Sequence, residues 1–205
     1  MNHIDRTLEN VQREIELYGR SGADSIYMDN YQFSIPADQF VVPELADEDE
    51  GVNDVAWFFT CARKGLIVPH PNPDRSFWIK FFGKDALPYG PTWNIKGLVD
   101  ILKDETRHRQ AVLNNAPFSS SCPPCVLSYQ FQHLDCGLLD LTVYLRSCDV
   151  SGVLPQDVFM SRVILEQIAS LAGLDPGKMT FMIGNAHVYY DDALFQEEFT
   201  IDYGN

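Results

Sequence analysis

Residues 125–146, CVLSYQFQHLDCGLLDLTVYLR, decide how the chain reads. Two runs rich in aliphatic and aromatic residues, VLSYQFQHL and LLDLTVYLR, flank Asp135-Cys136-Gly137, a composition that predicts a β-hairpin. After it, Val158 to Ala172 carries apolar residues at 158, 159, 163, 164, 165, 168, 171 and 172 and stops at Gly173, the pattern of a helix. Met179 to Ile183 and Val188 to Tyr190 are short strand candidates. Before the hairpin, residues 4–18 place Ile4, Leu8, Val11 and Ile15 at helical spacing. Arg20 to Ser25 reads as a loop ahead of a strand-like stretch from Tyr27 to Ile35. Residues 54–64 look like a buried helix, Pro69 to Pro73 a loop and Leu98 to Leu102 another helix. The order predicts one α+β domain over 1–205, with a sizeable mixed or antiparallel sheet.

The chain has 205 residues, 45% of them hydrophobic and 21% charged, enough apolar surface for a real core. Its formal net charge of −14 disfavours binding to DNA, RNA or anionic lipid, so any phosphate must be gripped locally. The apolar runs are shorter than a membrane span and MNHIDRTLENVQREIEL is unlike a signal peptide, so no membrane partner and a cytoplasmic location are expected. Five cysteines without framework spacing fit a reducing compartment. The acidic run Asp47-Glu48-Asp49-Glu50 reads as a solvated loop rather than a metal site.

Cys122-Pro123-Pro124-Cys125 has three readings from its residues: a redox pair, half of a zinc site, or one nucleophile in a stiff turn. Zinc would want a second pair, which Cys136 and Cys148 do not supply. Arg146-Ser147 sets a cation beside a hydroxyl at a strand end, suited to a phosphomonoester or to a plain structural arginine. His187 and Tyr189 alternate, so on a strand they share a face and suit a sugar hydroxyl or a core pair.

Taken in order, Cys-Pro-Pro-Cys with Gln130-Phe131, YLRSCDV, Leu154-Pro155, GLDPG and GNAHVYY resemble the thymidylate synthase and pyrimidine hydroxymethylase family from about residue 107 to 190. Arg20-Ser21-Gly22, Asp54-Val55-Ala56-Trp57-Phe58 and Tyr89-Gly90-Pro91-Thr92-Trp93 extend the resemblance towards the amino terminus. It implies a large mixed sheet packed by helices and a homodimer formed through the sheet with shared active sites. It also implies a pyrimidine nucleoside monophosphate substrate and 5,10-methylenetetrahydrofolate as co-substrate.

Carried over residue by residue, the resemblance makes Cys125 the nucleophile on carbon 6 of the base, since a soft thiolate adds reversibly to the conjugated ring. Arg20, Arg146 and Ser147 would grip the phosphate, with Arg107 supplied by the other subunit. Here the family's double arginine reads Arg107-His108-Arg109. Gln130 joins the substrate contacts, His187 and Tyr189 match the sugar-hydroxyl positions, and Asp149 and Trp57 the folate side. Tyr89 matches the residue implicated in removing the carbon 5 proton. Asp54 stands where the family has a glutamate and is one methylene shorter, which rearranges or impairs the proton-moving water network.

Asp157 is the most informative departure, because thymidylate synthases place Asn there and that amide reads uracil. An ionised carboxylate cannot donate to the carbon 4 oxygen, whereas it accepts from the cytosine amino group and shares a proton with ring nitrogen 3. Asp at this position is the feature of deoxycytidylate hydroxymethylases of phage type; the plainer reading is a helix cap. The expectation is therefore hydroxymethylation of a cytidine monophosphate, dCMP foremost, in a cytoplasm that is the host's if a phage encodes the chain. A thymidylate synthase or dUMP hydroxymethylase is the same-class rival. A silent nucleotide-binding homologue is the other-class rival, suggested by Asp54, by Val126 where the family commonly has His, by Val153, and by a short carboxy-terminal tail. Only 15 residues follow Tyr190, so the family's closing lid is expected to be missing and water to compete for the intermediate.

Overall fold

The computed structural model describes residues 2–83, 87–104, 108–115 and 124–193. Arg107, Cys122 and the tail from residue 194 lie outside the described residues. The amino-terminal helix α1 (His3–Tyr18) is capped by the Asn2 side chain, which accepts from the Asp5 amide, and buries Ile4, Leu8, Val11 and Ile15.

The expected hairpin is β4 (Val126–His133) and β5 (Leu138–Leu145), antiparallel. Its alternation is strict: Leu139, Leu141, Val143 and Leu145 face the core and Asp140, Thr142 and Tyr144 the other side. From β5 the chain crosses through α5 (Leu154–Ala172) to β7 (Asp175–Tyr189), which pairs parallel with β5. Gly173 ends α5 in the left-handed conformation that favours glycine. The remaining strands are β1 (Arg20–Ser21), β2 (Ser25–Ile35), β3 (Val112–Asn114) and β6 (Cys148–Asp149). The seven-stranded sheet runs β1-β2-β7-β5-β4-β3, with β6 paired to β7. Only β5–β7 and β6–β7 are parallel, so the sheet is mixed, as expected. Helices α2 (Glu48–Lys64), α3 (Phe77–Phe82) and α4 (Ile95–Leu102) complete the layer that packs on it.

Several local expectations need correction. Arg20–Ser21 is a short strand rather than loop, because it pairs with Ile26 and Tyr27. The two candidates at 179–183 and 188–190 belong to one 15-residue strand, since β2 lies along one side of Gly184-Asn185 and β5 and β6 along the other. The acidic run is not a loop: Asp47 caps α2 by accepting from the Glu50 amide, and Glu48, Asp49 and Glu50 form its first turn, where the helix dipole favours negative charge. Helix α5 begins at Leu154, four residues before its apolar repeat, with Pro155 in the first turn where proline is tolerated.

Candidate active site

The strand register builds the site. Val126 pairs with Leu145, so the residues just beyond them, Cys125 and Arg146, meet at the end of the hairpin. The Arg146 amide donates to the Cys125 carbonyl at 2.8 Å, and its guanidinium reaches the Pro124 carbonyl at 3.2 Å and the Cys125 thiol at 3.8 Å. The guanidinium thus stands beside a half-buried sulfur. On the neighbouring edge β6 pairs Asp149 with His187, which brings the Ser147 hydroxyl to 3.4 Å from His187 Nδ1. His187 and Tyr189 do share a face, their rings edge to face at 5.2 Å.

These residues line one cavity of about 230 Å³ together with Phe81, Cys148, Val153 and Asp157. A larger groove of about 710 Å³ lies between α2, α4 and α5, but its walls are mostly aliphatic and hold no thiol, histidine or tyrosine. Chemistry therefore belongs to the smaller cavity.

Asp157 is 4% exposed, and burial pushes its carboxyl up to about 7 against the opposing pull of the Cys148 thiol, which donates at 3.8 Å. It does not cap α5: the N-cap is Val153, with no side-chain cap bond. The adjacent Gln156 points elsewhere and holds both backbone groups of Asp47, at 2.9 and 3.1 Å, tying α5 to the start of α2. Burial, with the charge of Asp157 as one further cause, also raises the Cys148 thiol and the phenols of Tyr89 and Tyr129. Tyr89 is 1% exposed, and its oxygen accepts from the Val126 amide at 3.0 Å, one residue from the nucleophile. The Asp149 carboxylate shapes the turn into α5: its Oδ1 accepts from the Ser151 amide and hydroxyl and from the Gly152 amide.

The structure gathers Cys125, Arg146, Ser147, Asp149, Asp157, His187 and Tyr189 around the cavity, with Tyr89 behind it. Among the described residues it does not gather Arg20, Gln130, Trp57 or Asp54. Arg20 is an exposed side chain on β1, 3.4 Å from Asp29. Gln130 accepts from the Tyr144 hydroxyl across the hairpin at 3.0 Å. Trp57 is buried on α2, its indole N–H donating to the Val68 carbonyl at 2.7 Å. Asp54, wholly buried on the same helix, takes the Ser76 hydroxyl at 2.5 Å and the Trp78 amide at 2.9 Å. Phe81, Cys148 and the partners of Asp54 escaped the sequence reading. The available signal was Ser76 ahead of Phe77-Trp78-Ile79, a cap residue before an apolar turn. Among the described residues no group of three or more His, Cys, Asp or Glu could hold a metal, and no helix is long and apolar enough to cross a membrane.

Comparison with known proteins agrees with the geometry. The family model described as Thymidylate synthase matches residues 85–198. A thymidylate synthase of Rhizorhabdus wittichii is 32% identical over 108 residues, 51% of this chain and 35% of that protein. The thymidylate synthase of Enterobacteria phage T4 is 31% identical over 112 residues, 53% of this chain and 39% of its own length. A bifunctional dihydrofolate reductase-thymidylate synthase of Leishmania major is 29% identical over 135 residues, 60% of this chain and 26% of that protein. The chain thus spans less than half the length of these relatives.

Proposed function

The chain belongs to the thymidylate synthase family, and from that premise we propose that it transfers a one-carbon unit to carbon 5 of a pyrimidine nucleoside monophosphate through a covalent adduct on Cys125, with cytosine as the preferred base. The observation that carries this reading is the single cavity in which the Cys125 thiol, the Arg146 guanidinium and the buried Asp157 carboxyl converge.

Cys125 adds to carbon 6, and Arg146 holds the thiolate before addition. Addition makes carbon 5 nucleophilic, and it would bond to the one-carbon unit of the co-substrate; loss of the carbon 5 proton as the folate nitrogen leaves gives an exocyclic methylene, and addition of water to that methylene expels Cys125 and restores the ring as the hydroxymethyl product. Tyr89, anchored by the Val126 amide, stands next to this step as the group that orders proton removal. Arg146 and Ser147 also suit the phosphate, with Arg107 of a second subunit and with Arg20 once it leaves Asp29. His187 and Tyr189 suit the sugar hydroxyl. Methylenetetrahydrofolate, as co-substrate, supplies the one-carbon unit. Asp149 fits its side of the cavity, because the described bonds to its carboxylate all fall on Oδ1 and leave Oδ2 for a ligand N–H. Trp57 donates to the Val68 carbonyl and Gln130 is engaged by Tyr144, and neither lines the cavity. A homodimer through the sheet is supported by the polar outer face of β4 and β5, where Ser128, Gln130, Thr142 and Tyr144 are half-buried.

A second reading, action on dUMP, is favoured by one observation. A carboxyl raised to about 7 is partly neutral at physiological pH, and a neutral acid both donates and accepts, as an amide does. Incubation with dCMP, dUMP and CMP and identification of the products by mass separates the readings. The hydroxymethyl derivative of dCMP is expected; dTMP alone would overturn the cytosine preference.

A further inference from the structure

Asp54 and His70 are both wholly buried side chains, and His70 Nε2 lies 3.2 Å from Asp54 Oδ1. His70 Nδ1 accepts from the Asn72 amide at 3.0 Å, so the neutral ring carries its proton on Nε2, the nitrogen that faces Asp54. That N–H makes no hydrogen bond of good geometry in the described structure, so it acts as a nearby positive pole. Asp54 Oδ1 also takes the Ser76 hydroxyl, and Oδ2 takes the Trp78 amide. Ser76 is the N-cap of α3, accepting from the Ile79 amide at 3.0 Å, so Asp54 and Ser76 together satisfy the first turn of that helix.

Helix α3 then reaches the cavity in two ways. Phe81 is part of its lining. The Trp78 indole packs edge to face on Tyr89 at 4.5 Å, and Tyr89 holds the amide beside Cys125. Asp54 itself does not line the cavity, and each of its oxygens already accepts one hydrogen bond, with the His70 N–H pole beside Oδ1. Its role is to fasten α2 to α3.

We propose that His70 is a positioning residue of the site: paired with Asp54, it fixes α3 and thereby the cavity wall made by Phe81 and the Tyr89 anchor. The link to catalysis rests on the reading of this cavity given above. Asp54 acts here through α3, and the buried carboxyl that does face the cavity is that of Asp157.

The test compares His70→Phe, which removes the donor, with His70→Gln, whose amide keeps one. Hydrogen exchange at the Trp78 and Ile79 amides and the 5-fluoropyrimidine nucleotide concentration that half-traps Cys125 with the folate are both measured. In His70→Phe both should rise about tenfold, the effect of losing one buried N–H pole beside a carboxylate, with the pH dependence of trapping unchanged. His70→Gln should bring both back to within about threefold of the parent. Should Phe at position 70 fail to fold, Asn, too short to reach Asp54, takes its place. Unchanged exchange in a folded His70→Phe, failure of Gln to restore it, or an altered pH profile with normal exchange overturns the proposal. If the parent protein traps no nucleotide, the proposed function fails, while amide exchange still decides whether His70 fixes α3.

Discussion

Asp54 and Asp157 are the two most deeply buried aspartates among the described residues, at 0% and 4% exposure, and they are provided for in opposite ways. Asp54 sits behind α3, where a hydroxyl, a backbone amide and an imidazole converge on it. Burial pushes its carboxyl up, and those three groups pull against it, with the charge of Glu50 adding a small push. Asp157 sits on the first turns of α5 with one weak described donor, the Cys148 thiol, and its carboxyl rises to about 7. Equal burial therefore carries no functional meaning by itself. A carboxylate surrounded by protein donors has little left for a ligand, whereas one left short of partners at a cavity wall is ready to read a base.

The largest expected effect sharpens this contrast. Asp157→Asn supplies an amide that donates and accepts in all protonation states, so the kcat/KM ratio for dUMP over dCMP should rise by about 10⁴-fold, measured with both nucleotides in competition. An unchanged ratio would break the assignment of Asp157 to base reading.

The next effect is on stability. A carboxyl at about 7 in the folded state, against about 3.9 unfolded, binds its proton more tightly when folded. Its contribution is complete below about pH 4 and is lost as pH rises through 7, a loss on the order of 4 kcal/mol. Urea unfolding from pH 5 to 8 should show this decline, and the part that ends near pH 7 should vanish in Asp157→Asn.

Removing the other carboxylate should act differently. Asp54→Ala strands two buried donors, leaves the His70 N–H without its carboxylate and should lower stability by about 3 kcal/mol, read as a shift in the urea midpoint, without altering base preference. A changed dUMP to dCMP ratio in that variant would mean that Asp54 reaches the base after all. Ser76→Ala, which loses the α3 cap and one of the donors, should cost about 1 kcal/mol by the same measurement.

Much of this was readable from residue order. The alternation of Leu139, Leu141, Val143 and Leu145 is a local signal, and it found the hairpin whose register sets Arg146 on Cys125. The His187 and Tyr189 pair followed from strand periodicity alone. What escaped was fixed by distant partners. Gly184-Asn185 looks like a break until strands on both sides hold it in β7. Arg20 looked like part of a phosphate grip by resemblance, and its place at the sheet edge beside Asp29 comes from the pairing of β1 with β2. Asp54 looked like a proton carrier by motif, and the three groups that meet it come from residues 16 to 24 positions further along the chain.

The sequence by itself determined the α+β class, the order of strands and helices around the hairpin, and the residues from which a thiol, a cation and a carboxyl could be drawn. Those follow from periodicity, turn residues and ordered motifs, which are local properties of the chain. Only the tertiary structure decided which of two aspartates faces the cavity and which fastens a helix. A carboxylate's role depends on how many donors the fold aims at it, and those donors are brought together by packing between elements that are separated in sequence.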